Sequence, residues 1–186
     1  LAFAGCNNNN EKAQDDSGTK REEQLLTSAV REYPDSSILV ENLAQYYREN
    51  NRYEDAIVAV NEAIKRDSLN ARYWDIKATL EFEKADTLAA IRSFEKSVDI
   101  NPQPDVVISL GVIYAQTKNP MALAMADGLS MANSASAEKE AQFIKGLYYS
   151  YINEKKKAIV FFDKCIKISY TFMEAYREKA IALYDL

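Results

Sequence analysis

A period of 34 residues runs through most of this 186-residue sequence. Alanine recurs at that interval at four positions: Ala56, Ala90, Ala124 and Ala158. Two further columns have the same period. One consists of small residues, namely Ala29, Ala63, Ser97 and Cys165. The other consists of residues that end helices, namely Pro34, Ser68 and Pro102. Independent columns that share one period indicate tandem copies of one structural unit, whose neighbours stack to bury a continuous core.

Each period has the pattern of two amphipathic helices. In its first half, apolar residues recur at helical spacing, as at Val40, Leu43 and Tyr47. A short polar break follows, and then a second apolar stripe that begins with the recurring alanine. Proline or serine closes the second stripe, because proline cannot continue the hydrogen bonding of a helix. The sequence therefore predicts an all-α chain of about ten antiparallel helices.

These residues resemble the tetratricopeptide repeat. In that family a Trp-x-x-Leu-Gly-x-x-Tyr pattern marks the first helix, and Ala, Phe, Ala and Pro mark the second. One repeat here reads Val40, Leu43, Ala44, Tyr47, Ala56, Val60, Ala63 and Ser68. The third repeat is the weakest, since Ala122 and Ala124 fit its small-residue position equally well. We expect a shortened hairpin turn there, offset by a longer connection at "NSASAEKE".

The resemblance implies an α-α superhelix over residues 22–186. It predicts these units: a half repeat 22–36, full repeats 37–70, 71–104, 105–138 and 139–172, and a half repeat 173–186.

The segment before the repeats raises a separate question about Cys6. Residues 3–6, "FAGC", resemble the bacterial lipobox, in which small residues precede a cysteine that becomes lipidated. The alternative is a surface cysteine without a role. Residues 1–6 are interpreted as a signal-peptide remnant, and the polar residues 7–21 as a disordered tether. This predicts a lipoprotein similar to those of Bacteroidetes, anchored in the outer membrane and facing the periplasm or the surface.

Composition argues against several classes of function. The chain has no histidine, the commonest general base and metal ligand. Its net charge of −5 opposes binding to nucleic acid, and none of its glycines forms a phosphate-binding loop. We therefore predict a protein that is not an enzyme and has no cofactor, metal or nucleic-acid partner. Cys165 occupies a small-residue position and is predicted to be a buried structural thiol.

The resemblance also implies an inner wall, formed by the second, fifth, ninth and twelfth residues of each repeat. We call these the inward positions. We predict a peptide or partner groove that runs from polar residues near the N-terminus to apolar and aromatic residues near the C-terminus: Gln45, Arg48, Arg72 and Phe82, then Phe143, Leu147, Tyr151, Arg177 and Tyr184. The alternative for the C-terminal residues is that they are core residues, covered by another helix.

The function predicted from these features is a non-enzymatic protein-protein interaction scaffold, lipid-anchored in the bacterial envelope. A glycan-binding or nutrient-binding helical-repeat lipoprotein is the alternative, although one tryptophan offers little for sugar stacking. RNA binding by a related helical repeat is less favoured because the chain is acidic.

Overall fold

The computed structural model describes residues 9–131 and 134–186. These residues form ten helices and no strand, which confirms the predicted all-α class. The helices are α1 (Asn9–Glu32), α2 (Ser37–Glu49), α3 (Tyr53–Arg66), α4 (Ala71–Glu83), α5 (Thr87–Ile100), α6 (Pro104–Gln116), α7 (Met121–Ser130), α8 (Ala135–Tyr151), α9 (Lys155–Ile168) and α10 (Met173–Tyr184).

Each helix packs against the next, and alternate helices form a second set of contacts along the solenoid. The first helices of neighbouring repeats meet in three pairs: α2 with α4, α6 with α8, and α8 with α10. The recurring alanines Ala56, Ala90 and Ala158 are fully buried in the second helices. A side chain without atoms beyond Cβ lets two helix axes come close, which is why small residues recur at this position.

The hairpin turns repeat as regularly as the helices. Asn51, Ala85, Lys118 and Asn153 have φ values between 57° and 67° and follow the first helix of each hairpin. The amide of the next residue donates to a carbonyl five residues earlier, at 2.8 to 2.9 Å. This is the Schellman motif, which satisfies the last carbonyl groups of a helix and reverses the chain.

The third repeat has the irregularity that its sequence predicted. Its left-handed residue is Lys118 rather than Asn119, and its buried alanine is Ala122, whereas Ala124 is exposed. The second helix therefore begins its apolar stripe two residues early. The expected longer connection at "NSASAEKE" is wrong, because residues 135–140 of that segment lie in α8 and four residues, 131–134, separate α7 from α8. The chain recovers the period because α8 begins early and has 17 residues, whereas α2, α4 and α6 have 13 each.

The hydrophobic core consists of two clusters that meet at α4. Tyr73 and Leu80 of α4 belong to the N-terminal cluster with α2 and α3. Ala78, on another face of the same helix, belongs to the larger cluster that extends from α5 to α10. Two halves of the solenoid are thus packed as neighbouring units.

The N-terminal prediction requires a correction. A disordered tether was expected over residues 7–21, but α1 begins at Asn9 and is continuous to Glu32. Residues 11–14, Glu-Lys-Ala-Gln, have high helix propensity. They therefore extend the helix that packs on α2, without a need for apolar residues of their own. Residues 1–8, including Cys6, lie outside the described residues.

Candidate partner-binding site

A cleft opens between α2 and α4, and we call it the α2–α4 cleft. Its volume is about 120 Å³. Six inward-position residues line it, together with a floor of three less polar residues: Glu41, Gln45, Arg48, Arg72, Asp75 and Thr79, then Ala44, Ile76 and Leu80. The structure thus brings together three of the predicted groove residues, Gln45, Arg48 and Arg72.

Two reciprocal ion pairs join α2 to α4 across this cleft. Arg48 of α2 donates to both carboxylate oxygens of Glu83, from Nε at 2.6 Å and from Nη2. Arg72 of α4 donates in the same bidentate way to Glu41, with its Nε at 3.3 Å from Oε2. Paired hydrogen bonds between planar groups fix the relative orientation of the two side chains. Arg48 and Arg72, the two predicted groove arginines that line this cleft, are therefore already engaged.

Short hydrogen bonds hold the remaining polar residues in place. Gln45 accepts from Arg48 at 3.0 Å and donates to Glu49 at 2.6 Å. Asp75 accepts from Arg72 at 2.7 Å, and the Thr79 hydroxyl donates to the Asp75 backbone carbonyl at 3.1 Å. These contacts are local to each helix, so the side chains are preordered before any ligand arrives.

These contacts shift the pKa values of Arg48, Arg72 and Asp75. The hydrogen bonds to Glu83 and Glu41 raise the pKa values of Arg48 and Arg72, respectively, so both guanidinium groups stay charged. Burial raises the pKa of the Asp75 carboxyl, and the nearby Arg72 opposes that effect. The wall of the cleft consequently alternates fixed positive and negative charges.

The C-terminal part of the predicted groove is wrong at two residues. Phe143 and Leu147 are 9% and 4% exposed and belong to the hydrophobic core. The Phe143 ring lies 6.0 Å from that of Phe162 and 5.0 Å from that of Phe172, between centroids. Neither residue can anchor a partner from the surface.

Close packing of α8 explains their burial. A Cβ atom added at Gly111 of α6 would lie 2.8 Å from Ile144, and one at Gly146 would lie 2.5 Å from Phe162. Both distances are shorter than real contacts, so these glycines let α8 approach α6 and α9 more closely than another residue would. At α8 the inner wall is therefore closed, because close helix packing buries the inward side chains Phe143 and Leu147.

Four other predicted groove residues are exposed but do not line the α2–α4 cleft. Phe82, Tyr151 and Tyr184 are 41%, 43% and 91% exposed. Arg177, on α10, pairs with its neighbour Glu178 at 3.0 Å. Tyr184 stands at the end of α10, whereas Phe82 lies in the last turn of α4.

The cleft includes charged partners that were not predicted as site residues. Glu41 and Glu83 complete the ion pairs, and Asp75 lines the same wall. Arg48 and Glu83 are 35 residues apart, about one period. A search for opposite charges one period apart on first helices would have identified that pair.

Other chemically reactive groups have structural roles. Cys165 is fully buried, its thiol donates to the Lys139 carbonyl at 3.1 Å, and burial raises its pKa to about 12. The buried carboxylate of Glu81 accepts from Ser93 at 2.6 Å. Within the described ranges, no group of three metal-ligating residues occurs, and no helix is long and apolar enough to cross a bilayer.

The single tryptophan does not form an open stacking surface for a sugar. Trp74 donates its indole N–H to the Ser68 carbonyl at 2.9 Å, and Lys77 lies over its ring at 5.3 Å from the centroid. The ring is partly buried against the preceding loop, and one face is covered. This position does not favour glycan binding.

Comparison with models of known protein families shows which family the chain belongs to. Two models of the tetratricopeptide repeat match the chain, over residues 23–80 and 139–172. The chain is a tetratricopeptide repeat protein. A comparison with curated protein sequences gives no match.

Solved structures of tetratricopeptide repeat proteins share the fold. One from Parabacteroides merdae superposes with a TM-score of 0.77 at 20% identity, over 94% of this chain and 71% of that one. YrrB, described as having an unusual peptide-binding site, gives 0.65 at 20% identity, over 84% of this chain and 81% of its own. MamA gives 0.68 at 16% identity, over 91% and 99%. At such identities the similarity establishes the tetratricopeptide architecture.

Proposed function

We propose that this chain is a non-enzymatic scaffold that binds an extended segment of a partner protein on its inner wall, at the α2–α4 cleft. The observation that carries the proposal is the cleft itself, where six inward-position side chains remain accessible above an apolar floor. Largely preformed sites with a few well-placed polar groups are typical of specific binding. The likeness to YrrB supports a peptide as the ligand.

The chemistry of the cleft matches an extended peptide better than a free carboxylate. Gln45 and Thr79 offer amide and hydroxyl groups, which can bond the N–H and C=O groups of a peptide backbone. A terminal carboxylate would have to displace Glu83 or Glu41 from its bidentate arginine. The peptide interior, which has no formal charge, avoids that competition.

Gln45→Ala and Thr79→Ala test the site because neither side chain joins α2 to α4. Peptides are selected from a random 12-residue library on the immobilised full chain, and their affinities are measured by fluorescence anisotropy. We expect each variant to weaken binding about tenfold or more, which is the range of a residue that matters in an interface.

Lys65→Ala is the matched control. Lys65 is a polar residue on α3 with a side chain that is 70% exposed, and among the described residues it pairs only with Glu62 on its own helix. Its replacement should leave peptide affinity unchanged. If the selected peptides bind the Gln45 and Thr79 variants as tightly as the parent, the α2–α4 cleft is not the binding site.

We also propose that Cys6 carries a lipid that anchors the protein to a bacterial outer membrane. The "FAGC" sequence and the polar residues after it support this. Expression of the complete gene with Cys6→Ser should move the protein from the membrane fraction to the aqueous fraction. A variant that stays with membranes like its parent would exclude lipid attachment at Cys6 as the anchor.

A further inference from the structure

Helix α7 departs from the other second helices in length and in one core residue. It has 10 residues, whereas α3, α5 and α9 each have 14. Seven residues after the buried alanine, the other three helices have a small residue, namely Ala63, Ser97 and Cys165. In α7 the equivalent residue is Leu129, which is also buried.

The small residue normally allows a close contact between the two helices of a repeat. Ser97 donates to the carbonyl of Ala71, the first residue of α4, at 2.9 Å, and Cys165 makes the same contact with the Lys139 carbonyl. Leucine has no donor and a larger side chain. The end of α7 therefore cannot approach the start of α6 in this way.

An apolar pocket occupies the resulting space. It lies between the end of α5, the start of α6, the face of α7 and the start of α8, with a volume of about 540 Å³. Its walls include Val98, Val107, Ile108, Met125 and Leu129. Since a cavity of roughly 150 Å³ holds one benzene ring, this volume accommodates about three groups of that size.

Gly128 of α7 lines the pocket, and the space next to its Cα is open. A Cβ atom added there would meet nothing within 4 Å, in contrast to the crowded positions at Gly111 and Gly146. Its φ is negative, so the backbone does not require glycine. Glycine weakens a helix relative to alanine. No steric reason excludes a side chain, and the only evident effect of the glycine is a wider pocket.

The edge of the pocket has a negative charge that is not neutralised. The carboxylate of Asp105, in the first turn of α6, lines the pocket and has no ion pair or hydrogen bond in the described part of the chain. Ser134 and Ser136 are the other polar residues of the lining. A bound group is thus favoured if it combines bulky apolar surface with a positive charge, and anionic lipids are disfavoured.

We propose that this pocket binds a partner polypeptide through two or three bulky apolar side chains next to a lysine or arginine. The apolar groups fill the space beside Gly128, and the cationic group pairs with Asp105. The site is separate from the α2–α4 cleft and does not depend on it.

The test uses the full chain, labelled with ¹³C at methionine methyl groups, and the peptide acetyl-Leu-Phe-Leu-Lys-amide as the probe. Titration should shift the Met125 methyl resonance, because that side chain lines the pocket. Gly128→Leu should fill the pocket and weaken binding at least tenfold, with a melting temperature no lower than that of the parent. Gly128→Ala, the matched control, should keep the affinity within about twofold.

The charge is tested separately, without any change in apolar packing. Acetyl-Leu-Phe-Leu-Glu-amide should bind several-fold more weakly than the lysine peptide, and Asp105→Asn should remove that difference. Unchanged affinity in Gly128→Leu, tighter binding of decanoate than of the lysine peptide, or the same affinity for both peptides would each overturn the proposal. Gln45→Ala should have no effect here, so this result and that for the α2–α4 cleft are independent.

Discussion

The inner wall is open between α2 and α4 and closed between α6 and α8, although both parts repeat the same 34-residue pattern. Gln45 and Leu147 occupy the same inward position, three periods apart. Gln45 is exposed, whereas Leu147 is buried in the core.

Two local differences produce this contrast. Between α2 and α4, long charged side chains span the gap and form ion pairs near its surface. Between α6 and α8, Gly111 allows close approach, and apolar inward residues contribute to the contact. Gly146 in turn lets α8 pack closely on α9. An apolar residue at an inward position is therefore a poor indicator of a binding surface, because burying it against the next helix is favourable in the free protein.

The largest expected effect is the difference in stability between variants of the two inward residues Leu147 and Gln45. Leu147→Ala should lower the free energy of unfolding by about 2–5 kcal/mol, because it leaves a cavity in the core. Gln45→Ala should change it by no more than about 0.5 kcal/mol, as for other surface positions. Urea denaturation followed by circular dichroism measures both. A small loss for Leu147→Ala would mean that the wall at α8 is open after all.

A second comparison concerns the glycines. Gly146→Ala should cost about 1–3 kcal/mol of stability, since its new methyl group would overlap the fully buried ring of Phe162. Gly128→Ala adds the same methyl group to open space and should stabilise the protein by up to about 1 kcal/mol. Thermal melts of the two variants should move in opposite directions. Equal shifts would show that helix propensity, and not close packing, determines the effect at Gly146.

The smallest effect concerns the ion pair of Arg48 and Glu83. Their side chains are 40% and 27% exposed, so the pair should contribute about 0.2–1 kcal/mol and weaken at high salt. A double-mutant cycle with Arg48→Met and Glu83→Gln, repeated at low salt and at about 1 M sodium chloride, measures this coupling. A coupling of zero at low salt would show that the pair does not stabilise the contact between α2 and α4.

The candidate site was only partly predictable from the sequence. Gln45, Arg48 and Arg72 line the α2–α4 cleft as their inward positions indicated. Their acidic partners were not assigned to the site, because an ion pair depends on side chains from two repeats. The pocket beside Gly128 was not predicted either, although the uncertain register of the third repeat pointed to that region.

The sequence by itself determined the period, the ten helices and the buried alanines, because each depends on helical spacing and on side-chain size within one repeat. In the third repeat the spacing of small residues left Ala122 and Ala124 as equal candidates, and the structure shows that Ala122 is the buried one. The tertiary structure alone decided which inward residues stay accessible. Burial at Phe143 depends on Phe172 and Phe162, and the close approach at Ile144 depends on Gly111 in α6. These contacts join residues that are far apart in the chain. A sequence pattern within one repeat does not specify how closely two helices pack, so it cannot predict which of these residues are buried.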